Sequence, residues 1–404
     1  MTTVGKMSSP PATHSASGGE APVVPFFDGR ASFTAQWPRL RRELDDVFAN
    51  GKYSHGRKVE ELEDAIRRFT GAAHAVAMNS GTDALVLLLR AAGIGPGDEV
   101  IVPCYSFFAS ASAVHHVGAR PVFVDVDAVS YAMDPDAARA AVTRSTKAIM
   151  PVHLFSQMAD MTALAAVSAE TGVPIVEDSA EAIGMFHGGV HAGLHGLGGV
   201  LSFFPTKTLG ALGDAGMVIT DDPLLADRCA LLRHHGRMGV TLGRISGISN
   251  AAAVCGTNSK MDEVQAAVLL TRLPELNRAI ARRAELARRY TDGLAALPRV
   301  RLPGLAPRRS ATNPVWYVYL IEAEDRDALA AHLLADGIDT EIYYPWPLHL
   351  QPAFGHLGHQ PGDFPVAERA AARSLALPLY PDLTADAVRH VCGSIERFYG
   401  GGGR

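Results

Sequence analysis

A two-part α/β fold is what the sequence predicts, on three observations. Apolar, β-branched runs alternate with helical periodicity through the first two thirds of the chain, the pattern of parallel βαβ units covered on both faces. The remainder turns to a shorter α+β pattern. A length of 404 residues also exceeds what a single hydrophobic core usually organises. A large domain with a mostly parallel sheet, followed by a smaller C-terminal α+β domain, accommodates all three.

The elements follow this plan in order. Residues 1–22, "MTTVGKMSSPPATHSASGGEAP", are rich in Ser, Pro, Ala and Gly and lack the apolar centre of a signal peptide, which predicts a disordered lead-in. "RLRRELDDVFANG" and "VEELEDAIRRFTG" carry apolar residues at helical spacing and stop at Gly51 and Gly71. "HAVAMNSGTDALVLLLRAAGIGPGDEVIVP" reads as strand, tight turn, helix, Gly-Pro-Gly loop and strand. "RPVFVDVD" and "KAIMPVHLF" follow, then the helical "MTALAAVSAETG" and the strand "VPIVED".

Beyond the helix "LLADRCALLRHHG", a long helical pattern spans Met261–Leu297. It is broken or kinked near Pro274, which lacks an amide donor and crowds the preceding turn. "NPVWYVYLIEAED", "RDALAAHLLADG" and "IDTEIYY" then form the α+β pattern. The expected domains are therefore 23–275 and 276–404, with the final "GGGGR" frayed and no internal repeat.

Composition narrows the function. With 48% hydrophobic and 20% charged residues the chain reads as a soluble globular protein with a sizeable core. A net charge of -5, with no basic arm or helix-turn-helix, argues against nucleic acid. No apolar run approaches the roughly 18 residues of a membrane-spanning helix. Cys104, Cys229, Cys255 and Cys392 lie far apart without CxxC spacing, which predicts a reducing, cytoplasmic setting rather than zinc or disulfides. His191 and His195 sit in a glycine-containing stretch, and the pairs at 115–116 and 234–235 read as helix-end or surface residues, so no metal site is expected.

Three segments carry chemistry. In "NSGTDAL", a small-residue turn between strand and helix presents backbone N–H groups at the positive end of a helix dipole. Gly81 and Thr82 there read equally as a phosphate cradle or as part of an ordinary N-cap. In "PIVEDSAEAIG", Glu177 and Asp178 stand at the carboxyl end of a strand, where open α/β sheets bind ligands and a carboxylate suits a cationic group; the alternative is a helix cap. In "SFFPTKTLGALGDAG", Lys207 interrupts an apolar run. It is either a surface-loop residue or a desolvated lysine of lowered pKa, free to form a Schiff base. In that chain order, a phosphate cradle, a strand-end carboxylate and a desolvated lysine are what pyridoxal phosphate requires.

These residues resemble the DegT/DnrJ/EryC1/StrS family of sugar aminotransferases, fold-type-I pyridoxal-phosphate enzymes. The matching motifs, over about residues 24 to 400, include "HAVAMNSGTDALVLLLRAAGIGPGDEVIVP", "IMPVHLFSQMADM", "VEDSAEAIG", "SFFPTKTLGALGDAGMVIT", "GTNSKMDEVQAAVL" and "YYPWPLHLQPAF". The resemblance implies that Lys207 is the Schiff-base lysine and Asp178 the partner of the pyridine nitrogen. It places Gly81, Thr82 and Ser202 on the phosphate and the Phe107 ring on the cofactor. Asn258 would reach the phosphate of a neighbouring subunit, which requires a homodimer with shared sites.

Glu181 stands near the cofactor's phenolic oxygen, where many members carry His or Gln; a carboxylate there repels a phenolate unless protonated or turned away. His153, Gln157, Arg237, Tyr344 and His349 are the substrate candidates. The implied reaction moves an amino group from an amino acid, usually L-glutamate, through pyridoxamine phosphate to a keto group of a nucleotide-linked deoxysugar, with antibiotic or other secondary-metabolite biosynthesis as the setting. Lysine at 207 disfavours the family's sugar dehydratases, which carry histidine there. A keto-cyclitol acceptor, as in aminoglycoside pathways, and a non-catalytic cofactor-binding regulator are the alternatives.

Overall fold

The computed structural model describes residues 23–54, 56–237 and 252–400; the expected lead-in at 1–22 and the last four residues lie outside that range. Two helices come first, α1 (Arg30–Asn50) and α2 (Arg57–Thr70). Alternating elements follow: β1 (His74–Met78), α3 (Gly81–Ala91), β2 (Glu99–Pro103), α4 (Phe108–His116), β3 (Arg120–Val124), α5 (Pro135–Ala140), β4 (Thr146–Ile149), α6 (Met161–Thr171) and β5 (Glu177–Asp178). A short hairpin, β6 (Phe186–His187) and β7 (Val190–His191), precedes β8 (Gly199–Ser202), β9 (Gly216–Thr220) and α7 (Pro223–Leu232).

Strands pair in the orders β1-β9-β8-β5 and β3-β2-β4. Parallel bridges Ile149–Ile175 and Val152–Asp178 join the two groups into one layer. Every strand of that layer runs the same way except β9, which is antiparallel to both neighbours. No helix separates β8 from β9, so the chain has no crossover on which to return parallel. Both faces are covered, and β1 shows it residue by residue. Val76 and Met78 enter the core under α3, α4 and α7, while Ala75 and Ala77 enter the one under α2 and α8 (Glu263–Arg272). Such a strand reads as a continuous apolar run.

The long helical pattern breaks where Pro274 sits: α8 ends at Arg272, a 3-10 turn covers Leu273–Glu275, and α9 (Leu276–Leu294) continues. Beyond it come β10 (Val300–Arg301), β11 (Tyr319–Ala323), α10 (Arg326–Ala335), α11 (Pro365–Arg373), β12 (Ser374–Leu377) and α12 (Ala385–Gly400). The three strands form an antiparallel sheet in the order β10-β11-β12, with a separate core shared with α9, α10 and α12. Val24 belongs to that second core, exchanging backbone hydrogen bonds with Gly337 and Asp339. The first described residues thus pack on the C-terminal unit, although the chain then enters the larger one. Residues 343–371 do the reverse: Tyr344, Leu348, Phe354 and Ala367 pack against the large core.

One buried carboxylate ties α8 to α2. Glu263, 2% exposed, accepts from the backbone N–H groups of Gly56 (2.8 Å), Lys58 (2.8 Å) and Val59 (3.3 Å). It caps the N-terminus of α2 from another element and complements the helix dipole there. Glu263→Ala leaves three buried donors without an acceptor. It is expected to destabilise the fold by about 3 kcal/mol, read as a lower denaturant midpoint with unchanged slope.

Candidate active site

The carboxyl ends of β1, β2, β5 and β8 meet at one edge of the sheet, and a cavity of about 530 Å³ opens there. At the end of β1 the chain turns through Asn79 and Ser80 into α3. The Ser80 hydroxyl accepts from the Asp83 N–H at 3.1 Å and its carbonyl from Ala84 N–H, which leaves the first two amides of the helix, Gly81 and Thr82, without intrahelical partners. The turn is built for close approach. A Cβ on Gly81 would lie 2.9 Å from Ser202 Cβ, and one on Gly216 would lie 2.4 Å from the Ser80 carbonyl carbon. Ser202, the last residue of β8, is thereby held against the helix start. The cap occupies Asp83 and Ala84 only, so it leaves room at Gly81 and Thr82 for the alternative reading of the turn as a cradle.

At the end of β5, Asp178 is 4% exposed. Its Oδ2 accepts from Ser110 Oγ at 2.7 Å and its Oδ1 from the Ala180 N–H at 3.2 Å. Burial drives its pKa up, and these donors together with the Lys207 charge offset only part of that. Among the described residues no cation pairs with it. A buried carboxylate in that state is costly unless a positive group completes the site.

Lys207 follows β8 in a turn whose N–H is fixed to the Phe204 carbonyl. Its Nζ lies 3.0 Å from Glu181 Oε1 and 4.4 Å from the centre of the Tyr317 ring. Burial opposes the ammonium, but Glu181, with Tyr317 and Asp178, more than reverses that, so the pKa is raised. This corrects the sequence-based expectation of a lowered value. Apolar flanks announce desolvation, but the compensating carboxylate comes from a segment 26 residues away. Glu181 is held in turn by the Phe155 N–H on Oε2 at 2.9 Å, with the Tyr344 hydroxyl 3.5 Å from Oε1.

Gly81, Thr82, Phe107, Asp178, Glu181, Ser202, Lys207 and Tyr344 all line the one cavity. Phe107, at the start of α4, is 61% exposed, and its ring bounds the space together with Ala109, Val152 and Leu154.

The structure does not bring the other candidates there. His153 is fully buried; its Nε2 meets Glu177 Oε2 at 2.8 Å and its Nδ1 accepts from the Ala159 N–H, so it donates to Glu177. Glu177 also accepts from the N–H groups of Gly193, His195 and Gly196, making the pair an internal clamp on that loop. Gln157 brackets Ala306, donating to its carbonyl at 2.7 Å and accepting from its N–H at 2.8 Å. His349 is buried against Glu368 at 3.1 Å, and burial lowers its pKa. His153 and Gln157 thus have their polar side-chain atoms committed to the fold, whereas His349 keeps a buried Nδ1 without a partner among the described residues; none of the three is among the residues lining this cavity, which corrects their assignment to substrate.

Arg237 bridges to Ala252 beside the undescribed 238–251 segment and is not among the lining residues. Asn258 is exposed, paired to Lys260 outside the cavity of its own chain. No cluster of metal-ligating side chains occurs among the described residues, and no described helix is long and apolar enough to cross a membrane.

Several residues of the site were not read from sequence. Ser110 reaches Asp178 from α4, and Ser106 backs it at 2.8 Å. Tyr343 donates to the Tyr317 hydroxyl, which meets Thr206 Oγ1 at 3.2 Å beside Lys207. The doubled tyrosine in "IYYPWP" was the available signal.

Comparison with known proteins agrees with this geometry. A family model for the DegT/DnrJ/EryC1/StrS aminotransferase family matches residues 38–396. The chain is 42% identical over 378 residues to a protein of Geobacillus stearothermophilus named "Pleiotropic regulatory protein", covering 93% of this chain and 98% of that one. It is 40% identical to dTDP-3-amino-3,4,6-trideoxy-alpha-D-glucose transaminase of Streptomyces venezuelae, covering 94% and 97%. The crystal structure of S. venezuelae DesV in complex with a ketimine intermediate shares the fold with a TM-score of 0.88 at 40% identity, over 93% of this chain and 98% of that one.

Proposed function

This chain belongs to the DegT/DnrJ/EryC1/StrS aminotransferase family, a family of pyridoxal-phosphate enzymes, and on that premise we propose that it moves an amino group from L-glutamate to the keto group of a nucleotide-linked deoxysugar. The observation that carries the cofactor assignment is Asp178: a buried carboxylate with no ion-pair partner among the described residues, facing the cavity that Lys207 and the start of α3 also line. A protonated ring nitrogen is the positive group that would complete it. When bound, the cofactor supplies a carbonyl for amine exchange and a ring that withdraws electrons from the substrate carbon.

The protein's own groups do the rest. The unpartnered amides of Gly81 and Thr82, at the positive end of α3, and the Ser202 hydroxyl bind the phosphate. Asp178 keeps the proton on the ring nitrogen, and Ser110 orients Asp178. Phe107 bounds one side of the ring. Lys207 would hold the cofactor and, as a free amine, would move a proton at its Nζ to and from the substrate carbon. Two amine exchanges at one site predict ping-pong kinetics.

Exposed Asn258 lies outside its own cavity, which supports a role across a twofold interface, at the site of a second copy. The regulatory name of the G. stearothermophilus relative does not favour a silent binder here, because Lys207 and Asp178 are both present and aligned on one cavity.

The test is transfer of nitrogen from 15N-labelled L-glutamate to a panel of nucleotide-linked keto sugars and keto-cyclitols. Labelled amino sugar nucleotide is expected. Cofactor-loaded protein that transfers no amine to any acceptor sinks the reading, and transfer confined to cyclitols replaces the acceptor. Ser202→Ala removes one hydrogen bond to a charged group, so the cofactor dissociation constant is expected to rise by about tenfold or more. Turnover at saturating cofactor should stay close to wild type.

A further inference from the structure

We propose that Glu181 is the proton partner of Lys207, and that its carboxylate sets the pH at which this lysine becomes a free amine. The proposal rests on the aminotransferase reading and deepens it, assigning a role at the same site to the Glu181 carboxylate.

Geometry carries it. Glu181 Oε1 stands 3.0 Å from Lys207 Nζ, with the carboxylate side chain 5% exposed and the lysine side chain 15%. The carboxylate is also pinned from behind. Its Oε2 accepts from the backbone N–H of Phe155, a buried aromatic residue at φ 63°. That left-handed conformation is strained for a bulky side chain and persists only where the surroundings hold it. Were Glu181 to swing away, the Phe155 N–H would lose its acceptor inside the protein.

The neighbouring charges do not substitute for it. Asp178, on β5, is bonded to Ser110 and Ala180 rather than to the lysine. Tyr317 offers Lys207 its ring face, and Tyr343 hydrogen-bonds to Tyr317. Tyr344 points its hydroxyl at the same Glu181 oxygen, and its own pKa is pushed well above the ordinary value by burial and by Glu181. Asp214 and Glu341 line the cavity without an ion pair to Lys207, while Arg272 and Arg283 border a second hollow that Lys207 also lines. Among the described residues Glu181 is the one carboxylate within ion-pair distance of Nζ.

An ammonium has no lone pair, so Lys207 must lose a proton before it attacks a carbonyl or accepts a proton from substrate. Along the existing contact the proton passes from Nζ to Oε1, and an ammonium–carboxylate pair becomes a neutral amine beside a neutral carboxylic acid. The net charge of the buried site is unchanged. Loss of the same proton to water would instead leave a bare carboxylate in a desolvated pocket. The reverse passage restores the pair. Glutamine at 181 could still accept from the Phe155 N–H, but it could neither hold that proton nor favour the lysine's positive charge.

The experiment compares wild type, Glu181→Gln and Glu181→Asp as full-length, cofactor-loaded proteins, reading the visible absorption of the bound cofactor against pH. The midpoint for deprotonation of the Lys207 nitrogen is expected to fall by about one unit or more in E181Q, the effect of removing an opposite charge within ~4–6 Å. E181D should lie nearer to wild type. An unchanged or raised midpoint in E181Q overturns the proposal, since a merely structural role is preserved by the amide. Reductive methylation of Lys207 against pH in cofactor-free protein, followed by mass spectrometry, gives the same comparison without relying on cofactor uptake, and it too should shift to lower pH in E181Q. If wild type itself takes up no cofactor, the aminotransferase reading fails, and the absence of a band in every protein distinguishes that result.

Discussion

Lys207→Ala is expected to lower turnover of the cofactor-loaded protein by about 10³-fold or more and to abolish the absorption that depends on a covalent link to this residue. Among the described residues no other amine lines the cavity, so neither of its tasks passes to a described neighbour. The fold should survive. The substitution leaves Glu181 without its cation, which costs stability, but the carboxylate is still held by the Phe155 N–H, with the Tyr344 hydroxyl adjacent. Alanine also vacates the space of three methylenes and an amine beside the reacting carbon. A small primary amine such as methylamine should therefore restore part of the rate, in proportion to its concentration and its fraction of free base. Retention of turnover within tenfold of wild type would remove Lys207 from the chemistry altogether. Loss of turnover without amine rescue, alongside a lowered melting temperature, would point instead to collapse of the site.

How far the sequence discloses such a site depends on where each residue's partners come from. Lys207, Asp178 and the turn at Gly81 were legible because strand ends and glycine turns leave a local signature: each sits where an apolar run stops. Buried polar residues carry no such mark. His153 and Gln157 occupy a family motif, yet their polar atoms meet Glu177 and Ala306, the latter partner 149 residues from Gln157. Ser110 was invisible for the converse reason. It lies on a helix face of small residues that reads as packing, and only the fold places it 2.7 Å from Asp178. The direction of the Lys207 pKa shift belongs to the same class. Phe203 and Phe204 suggested a purely apolar setting, but Phe204 is 48% exposed, and the groups that govern the charge are Glu181 and Tyr317. The seven-stranded layer was legible as alternating apolar runs. The reversal of β9 was not, because "MVIT" has the same composition whichever way it runs.

Asp178→Asn should separate stability from activity. Burial raises the folded-state pKa of Asp178 above its unfolded value. A group shifted in that direction favours folding only at acid pH, below the unfolded carboxylate range, and that contribution is lost as pH rises through the folded pKa. At neutral pH, without a cation opposite, the charged carboxylate therefore works against the fold. The amide fits the same contacts: its oxygen accepts from the Ala180 N–H, and its NH₂ donates to Ser110 Oγ, which can turn its own proton toward Ser106 Oγ at 2.8 Å. The cofactor-free variant should accordingly melt about 1–3 °C higher than wild type at neutral pH, with the gap closing as pH falls. With cofactor the order reverses. The amide cannot stabilise a proton on the ring nitrogen, so the charge that the ring must absorb has no counter-group. Turnover is expected to drop by about 10²–10³-fold, as when one preorganised electrostatic contact is removed, and cofactor affinity should fall as well. Calorimetry with and without cofactor, beside steady-state rates, reads both effects. Turnover within tenfold of wild type, or an apo protein destabilised at neutral pH, would mean that Asp178 serves the fold rather than the ring.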